Sequence, residues 1–312
     1  MSPSDRVDPS VQVGALRLRN PVITAAGTFG YGVEFARLVD LNKLGGIVTK
    51  GISREPIEGA PAPRVCETAS GMLNAIGLQN IGVEAFVKTK LPVLQKYNTP
   101  VFVNVFGYCI EDYLEVIHRL EDAEGISAYE LNISCPNVKK GGMQFGVSAS
   151  AVQEVVGAAR NASAKRPLWV KLMPLVTDIQ EIARAAESAG ADALTIANTY
   201  PAMAIDVRAG RSKIGNDTGG LSGPAIKPIT MRLVWEAQKV VKIPIVGLGG
   251  VESAEDVLEY MAVGASAVQV GTASFADPTC SERIVGSLER ALRDANAFTV
   301  REVRDRFAAE NS

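Results

Sequence analysis

The sequence predicts a (β/α)8 TIM barrel, and three observations favour this fold class. Eight short apolar segments rich in β-forming residues follow one another, and each carries Gly, Asn, Lys or Cys near its end. Patterns typical of amphipathic helices lie between them, and about 250 residues suffice for eight such units. The eight segments are 21–27, 46–51, 100–107, 128–135, 167–174, 191–199, 244–250 and 267–272.

The remaining elements are predicted from local patterns. Residues 11–13 and 16–18 alternate around Gly14 and Ala15, which predicts a short hairpin before the barrel. Ser253 and Asp256 have the spacing of a capping box and predict the start of the helix after strand seven. Apolar residues with helical spacing are Ile110, Leu114, Ile117 and Leu120; Val152, Val155, Val156 and Ala159; Ile179, Ile182, Ala183 and Ala186; Val257, Leu258 and Met261; and Ile284, Val285, Leu288 and Leu292.

Three connections are predicted to be long and to cover the C-terminal ends of the strands. Residues 52–82 follow the second strand and residues 200–223 follow the sixth, and both exceed ordinary barrel loops. The polar run 137–144 after the fourth strand contains Gly141 and Gly142, which predicts a mobile loop. Because no domain boundary or repeat is visible, residues 1–312 are predicted to form one domain.

Composition excludes several classes of protein. The net charge of −2 gives no electrostatic reason to expect nucleic acid or a membrane surface as partner. No apolar run reaches the ~18 residues of a transmembrane helix, and residues 1–8 do not resemble a signal peptide. The four cysteines lack C-x-x-C spacing, which argues against a metal site and for a reducing compartment. We therefore expect a cytoplasmic protein without a metal.

Polar and glycine residues are concentrated where the predicted strands end. In a barrel of this kind all the carboxyl ends meet at one rim, where active sites lie. A single buried Lys or Asn there could be a structural group with satisfied hydrogen bonds, but eight such ends together favour a functional site. They are Ala26 and Gly27; Thr49, Lys50 and Gly51; Asn104; Asn132 and Cys135; Lys171; Asn198 and Thr199; Gly249 and Gly250; and Gly271 and Thr272.

The ends of strands seven and eight predict a phosphate site. Gly249 and Gly250 follow strand seven, and Gly271 follows strand eight. Glycine lets the backbone approach a phosphate closely, and in barrels this pair of loops commonly binds one.

Lysines and amides at the same rim indicate what else could bind. Lys50 and Lys171 could hold an anionic substrate or stabilise negative charge on a reduced ring. The alternative is a structural ion pair, but no Asp or Glu occurs at the neighbouring strand ends. Amides match the alternating N–H and C=O groups of a pyrimidine edge, although Asn74 and Asn137 could instead serve turns. The four asparagines are Asn74, Asn132, Asn137 and Asn198.

Cys135 is the candidate catalytic base. It follows a buried strand, precedes Pro136 and lies beside the glycine-containing loop. A thiolate can accept a carbon-bound proton when a closed loop excludes water. The other cysteines, Cys66, Cys109 and Cys280, are interpreted as small hydrophobic residues. His118, the only histidine, is placed on a helix and is given no catalytic role.

These motifs resemble a known family. The segment Asn-Ile-Ser-Cys-Pro-Asn at 132–137 is similar to the active-site strand and loop of class 1 dihydroorotate dehydrogenases, which use Cys where class 2 enzymes use Ser. Residues 67–80 resemble class 1B specifically, since class 1A has a shorter segment there. Residues 219–228 and 271–273 are also similar, and the resemblance spans about residues 20–278.

The resemblance implies roles for individual residues, with Cys135 as the base. FMN is expected to contact Ala26, Lys50, Gly51, Asn104, Asn132, Lys171, Ala197, Gly223, Gly249, Gly250, Gly271 and Thr272. Substrate is expected to contact Lys50, Asn74, Ala75, Ile76, Gly77, Leu78, Asn132, Asn137, Asn198 and Thr199. Two positions depart from the family pattern: Ala26 stands where serine is common and Ala197 where a bulkier aliphatic residue is common.

The resemblance to class 1B further implies a partner. Such enzymes are homodimers within a heterotetramer and pass electrons to NAD⁺ through a subunit that carries FAD and a [2Fe–2S] cluster. This chain has neither a cysteine cluster nor a dinucleotide fingerprint of its own. The alternatives are a fumarate-linked class 1A enzyme, a dihydropyrimidine dehydrogenase-type barrel, a dihydrouridine synthase and a non-catalytic flavin-binding module. The near-neutral charge argues against the RNA-modifying option.

Overall fold

The computed structural model describes residues 7–134 and 145–310, and within them the eight predicted strands close into one parallel barrel. Each observed strand lies inside the segment predicted for it, which confirms the (β/α)8 fold. The strands, numbered here one to eight, are Val22–Thr24, Gly46–Val48, Val101–Val105, Ala128–Asn132, Leu168–Lys171, Ala193–Ile196, Ile245–Leu248 and Ala267–Val270.

The barrel interior has an apolar lower part that the N-terminal hairpin closes. Phe102 and Trp169 stack with ring centroids 4.3 Å apart, and both are fully buried or nearly so. The hairpin of Val11–Val13 and Leu16–Leu18, which forms as predicted, inserts Val13 and Leu18 into the same cluster. Ligands are therefore excluded from this end, and the open end is the one at the carboxyl ends of the strands.

The register of the barrel strands places a layer of polar residues next to this apolar part, on the side of the open end. Asn104 pairs with Glu130 across strands three and four, while Lys171 pairs with Asn132 and Thr195 on either side. Side chains two residues apart on a strand share a face. Asn104 therefore lies on the same inward face as Phe102, and Lys171 on the same face as Trp169.

Helices surround the barrel and bury one face each. On Ile179–Ser188, for example, Ile182, Ala183 and Ala186 are buried as the helical spacing predicts. The capping box of Ser253 and Asp256 forms as predicted. The longer helices are Ile110–Glu121, Ala149–Ala162, Ile179–Ser188, Lys227–Gln238, Ala254–Ala262, Cys280–Asp294 and Val300–Glu310. The shorter helical segments are Leu41–Lys43, Val83–Ala85, Phe86–Lys90, Leu91–Leu94, Phe145–Val147, Pro224–Ile226 and Ala273–Ala276. No helix in the described part is both long and apolar enough to cross a bilayer.

The first crossover differs from the predicted strand-then-helix repeat. Between strands one and two the chain forms turns and a single 3-10 turn at Leu41–Lys43, without an α-helix. Gly27, Gly30 and Gly32 all adopt positive φ, at 86°, 51° and 88°. An α-helix requires negative φ at every residue, so these positions interrupt any helix there.

The two longest connections pair with each other above the barrel. Val65–Thr68 and Gly71–Asn74 come from the connection after strand two, and Tyr200–Ala202 and Gly219–Ser222 from the one after strand six. Together they form a four-stranded antiparallel sheet in which Gly220 pairs with Asn74. This confirms that both connections extend over the open end. The predicted loop after strand four falls on residues 135–144, which lie outside the described residues.

Candidate active site

A cavity of about 490 Å³ opens at the carboxyl ends of the strands, under the antiparallel sheet. Every described residue for which a binding role was predicted lines it. They are Ala26, Lys50, Gly51, Asn74, Ala75, Ile76, Gly77, Leu78, Asn104, Asn132, Lys171, Ala197, Asn198, Thr199, Gly223, Gly249, Gly250, Gly271 and Thr272. Cys135 and Asn137 lie outside the described residues. The placement is observed, whereas the individual roles remain predictions.

Asparagines and serine form a hydrogen-bonded chain along one side of the cavity. Ser134 Oγ donates to Asn132 Oδ1 at 2.7 Å and accepts from Asn198 Nδ2 at 2.8 Å. Tyr113 Oη donates to the carbonyl of Asn132 at 2.9 Å, which fixes the end of strand four. Ser134, the residue before Cys135, is thus hydrogen-bonded to two asparagines that line the cavity.

The charged groups that line the cavity are both cationic. Among its described lining residues Lys50 and Lys171 are charged, and none is Asp or Glu. Lys171 is buried in strand five. Burial, followed by the nearby positive charge of Arg64, lowers the pKa of the Lys50 ammonium. Two lysines and the absence of Asp and Glu among the described lining residues favour an anionic ligand.

One acidic residue was missed, because only the strand ends were considered. Glu130 lies two residues before Asn132 and is fully buried in the barrel interior. Its carboxylate accepts hydrogen bonds from Asn104 Nδ2 at 2.7 Å, from Thr195 Oγ1 at 2.8 Å and from Gln269 Nε2. The strand ends themselves carry no Asp or Glu, as the sequence indicated, but the interior of strand four supplies this carboxylate beside Asn104. Strand alternation counted back from Asn132 would have indicated Glu130.

The roof of the cavity comes from the paired long connections. Asn74 Nδ2 donates to the carbonyl of Gly220 at 3.1 Å, so Asn74 is held by the opposite connection. A Cβ on Gly220 would overlap the side chain of Thr199, which requires glycine there. Sequence reasoning assigned no role to the further residues that line the cavity, which are Ala25, Gly27, Thr28, Met72, Gln79, Tyr108, Pro201, Thr218, Gly219, Gly220, Ser222, Ile226, Leu248 and Phe275.

The glycines after strand seven bring backbone segments close together at one end of the cavity. Gly250 has φ +69°, and a Cβ there would lie 2.9 Å from the carbonyl oxygen of Gly223. Ala197 donates its N–H to the carbonyl of Leu248 at 3.2 Å, so this amide is already used between strands six and seven. Such a backbone-lined end suits a phosphate better than an apolar group.

Comparisons with known proteins agree with this architecture. Residues 10–292 match the family described as "Dihydroorotate dehydrogenase". A protein named "Dihydroorotate dehydrogenase B (NAD(+)), catalytic subunit" from Geobacter sp. (strain M21) is 52% identical over 295 residues, which cover 95% of this chain and 96% of that protein. A protein named "Putative dihydroorotate dehydrogenase A (fumarate)" from Solibacter usitatus (strain Ellin6076) is 56% identical over 277 residues, covering 89% and 91%. The matches confirm the resemblance, and the chain belongs to the dihydroorotate dehydrogenase family.

Proposed function

We propose that the protein oxidises (S)-dihydroorotate to orotate in pyrimidine biosynthesis, with FMN as the cofactor bound in this chain. The observation that carries the proposal is a cavity of this family's barrel lined by two lysines and several amides. Dihydroorotate offers one carboxylate and the alternating N–H and C=O groups of a pyrimidine ring. Its charge complements Lys50 and Lys171, and its edge complements the asparagines.

Family membership implies a flavin, and the residues present fit FMN. The cavity volume of 490 Å³ lies within the about 300–1,000 Å³ typical of sites for ligands of this size. Glycines line the end suited to the phosphate, and Gly51 leaves the floor beside Asn104 open. When bound, FMN supplies a hydride acceptor. Residues proposed to hold it are Ala26, Lys50, Gly51, Asn104, Asn132, Lys171, Ala197, Gly223, Gly249, Gly250, Gly271 and Thr272.

Substrate would lie against the roof and the asparagine chain. The residues proposed to hold it are Lys50, Asn74, Ala75, Ile76, Gly77, Leu78, Asn132, Asn137, Asn198 and Thr199. Cys135 would remove the proton from ring carbon five as the hydride leaves carbon six, so that a double bond forms between them. The position of Ser134 supports this role, because the residue that precedes Cys135 is hydrogen-bonded to Asn132 and Asn198, which line the cavity.

Anaerobic mixing with dihydroorotate tests the proposal. The absorbance of the bound flavin should bleach as the ring is reduced, and orotate should form in equal amount. Dihydrouracil is the matched control, since it has the same ring without the carboxylate. Bleaching by dihydrouracil in place of dihydroorotate would contradict the proposal and favour a dihydropyrimidine dehydrogenase-type activity.

We further propose that electrons pass to NAD⁺ through a partner subunit carrying FAD and a [2Fe–2S] cluster, in a heterotetramer built on a homodimer in the cytoplasm. The name of the Geobacter relative, a "catalytic subunit" of an NAD(+) enzyme, supports this. The 56% identity to the fumarate-named relative favours a second candidate acceptor. Reoxidation of the reduced, isolated chain by fumarate would establish that candidate. Under the first proposal fumarate does not reoxidise it rapidly, and NAD⁺ does so only after the partner is added.

Orotate binding should weaken as pH rises towards the lowered pKa of Lys50. The protonated ammonium attracts the carboxylate, and burial makes it lose its proton at a lower pH than an exposed lysine, whose pKa is about 10.4. Titrating orotate into the oxidised protein at increasing pH, followed by the flavin spectrum, measures this change. Lys50→Met should weaken binding about tenfold or more at neutral pH and remove the dependence. If the pH dependence of orotate binding were unchanged in Lys50→Met, another titrating group would be responsible for it.

A further inference from the structure

Glu130 connects three other strands through one carboxylate. It is fully buried and accepts hydrogen bonds from Asn104 on strand three, Thr195 on strand six and Gln269 on strand eight. In all three contacts the partner donates and the Glu130 carboxylate accepts. Asn104 is the one of these three partners that also lines the cavity.

These contacts decide which end of the Asn104 amide faces Glu130. A carboxylate accepts only, so it takes the nitrogen of an amide and leaves the oxygen directed elsewhere. Gln269 has the same orientation, since its Nε2 donates to Glu130 while its Oε1 is buried without a hydrogen-bond partner among the described residues. Asn104 Nδ2 likewise donates to Glu130, and its Oδ1 accepts a long hydrogen bond from Asn132 Nδ2 at 3.5 Å and has a second lone pair.

The oxygen of Asn104 is directed towards the cavity floor. Asn104 Oδ1 lies 3.5 Å from Asn132 Nδ2, and a Cβ added to Gly51 would lie 2.9 Å from the same oxygen. Gly51 and Asn132 both line the cavity. The absence of a side chain at Gly51 therefore leaves space beside this acceptor, which a Cβ would otherwise fill.

We propose that Glu130 is a positioning residue that orients Asn104 so that Asn104 Oδ1 accepts a hydrogen bond from the imide N–H of the flavin ring. The inference rests on the proposed flavin site and adds a reason why that site would select a flavin with a free imide N–H. A flavin with a free imide N–H donates a hydrogen bond to this oxygen, whereas one methylated at that nitrogen cannot donate and places its methyl group against the oxygen. Glu130 does not touch the ligand and acts through Asn104.

The test compares FMN with FMN methylated at N3 for binding to the apoprotein, followed by quenching of flavin fluorescence. The wild-type protein should bind FMN about tenfold more tightly, the size expected for one lost hydrogen bond. Glu130→Gln can present either amide end to Asn104, so the preference should fall to about threefold or less. Equal binding of the two flavins by the wild-type protein, or a full preference in Glu130→Gln, would overturn the proposal.

Two further variants separate positioning from general destabilisation. Thr195→Val removes another hydrogen bond to the same carboxylate but keeps the one from Asn104, so the preference should persist even if thermal stability falls. Asn104→Leu removes the acceptor with Glu130 in place and should abolish the preference, which provides a test if Glu130→Gln does not fold. Retained preference in Asn104→Leu, or its loss in Thr195→Val, would contradict the proposal.

The binding assay is independent of the proposed reaction, since no dihydroorotate is present. If the protein selects the flavin with a free imide but is not reduced by dihydroorotate, this inference stands and the proposed substrate is contradicted. If dihydroorotate reduces the bound flavin but the protein binds both flavins equally, the proposed substrate stands and this inference is contradicted.

Discussion

Replacing Cys135 with alanine is expected to slow reduction of the bound flavin by dihydroorotate by about 10²–10⁴-fold, the usual contribution of a general base. Without the thiol the proton on ring carbon five has no acceptor, so the double bond cannot form readily. FMN should stay bound, because the residues proposed to hold it are unchanged. Anaerobic stopped-flow absorbance measures the rate, and the flavin spectrum of the resting protein measures retention.

Cys109→Ala is the matched control for this prediction. Cys109 is exposed and precedes the helix Ile110–Glu121, so its removal should leave the reduction rate near that of the wild-type protein. A Cys135→Ala variant that is reduced at a near wild-type rate would remove Cys135 from the role of base. Loss of the flavin from that variant would instead place Cys135 in the cofactor site.

The barrel could be predicted from sequence because strand signals are local. A β-rich apolar segment has the same signature wherever its neighbours lie, so all eight strands were found. The pairing of the two long connections is different, since Asn74 and Gly220 are 146 residues apart and nothing local to either specifies the other. The absence of a helix from the first crossover was not predicted, because the repeating strand–helix pattern was followed although Gly27, Gly30 and Gly32 occur there.

The site was largely predictable because chemistry in this fold collects at strand ends. That rule placed Lys50, Asn132 and Lys171 at one cavity, as observed. It missed Glu130 because a charged residue inside an apolar segment was counted as part of the strand. Whether such a carboxylate finds donors depends on Asn104, Thr195 and Gln269 from three other strands, and this is a property of the closed barrel.

Replacing Lys171 with methionine is expected to slow flavin reduction by dihydroorotate by about 10²–10³-fold, with a smaller loss of substrate affinity. Lys171 is buried in strand five between Asn132 and Thr195, at the cavity wall. Its positive charge would stabilise negative charge on the reduced ring, and fixed charges in a buried site contribute an effect of this size. Single-turnover kinetics at several dihydroorotate concentrations separates the reduction rate from the dissociation constant.

Lys50→Met is the contrasting variant, because it removes the other cation of the same cavity. It should weaken substrate binding more than it slows reduction, the opposite of Lys171→Met. The flavin reduction potential provides a second readout: removing Lys171 destabilises the reduced, negatively charged ring, so the potential should become more negative. Equal losses of rate and affinity in Lys171→Met, together with an unchanged potential, would contradict a charge-stabilising role and leave Lys171 as a binding residue.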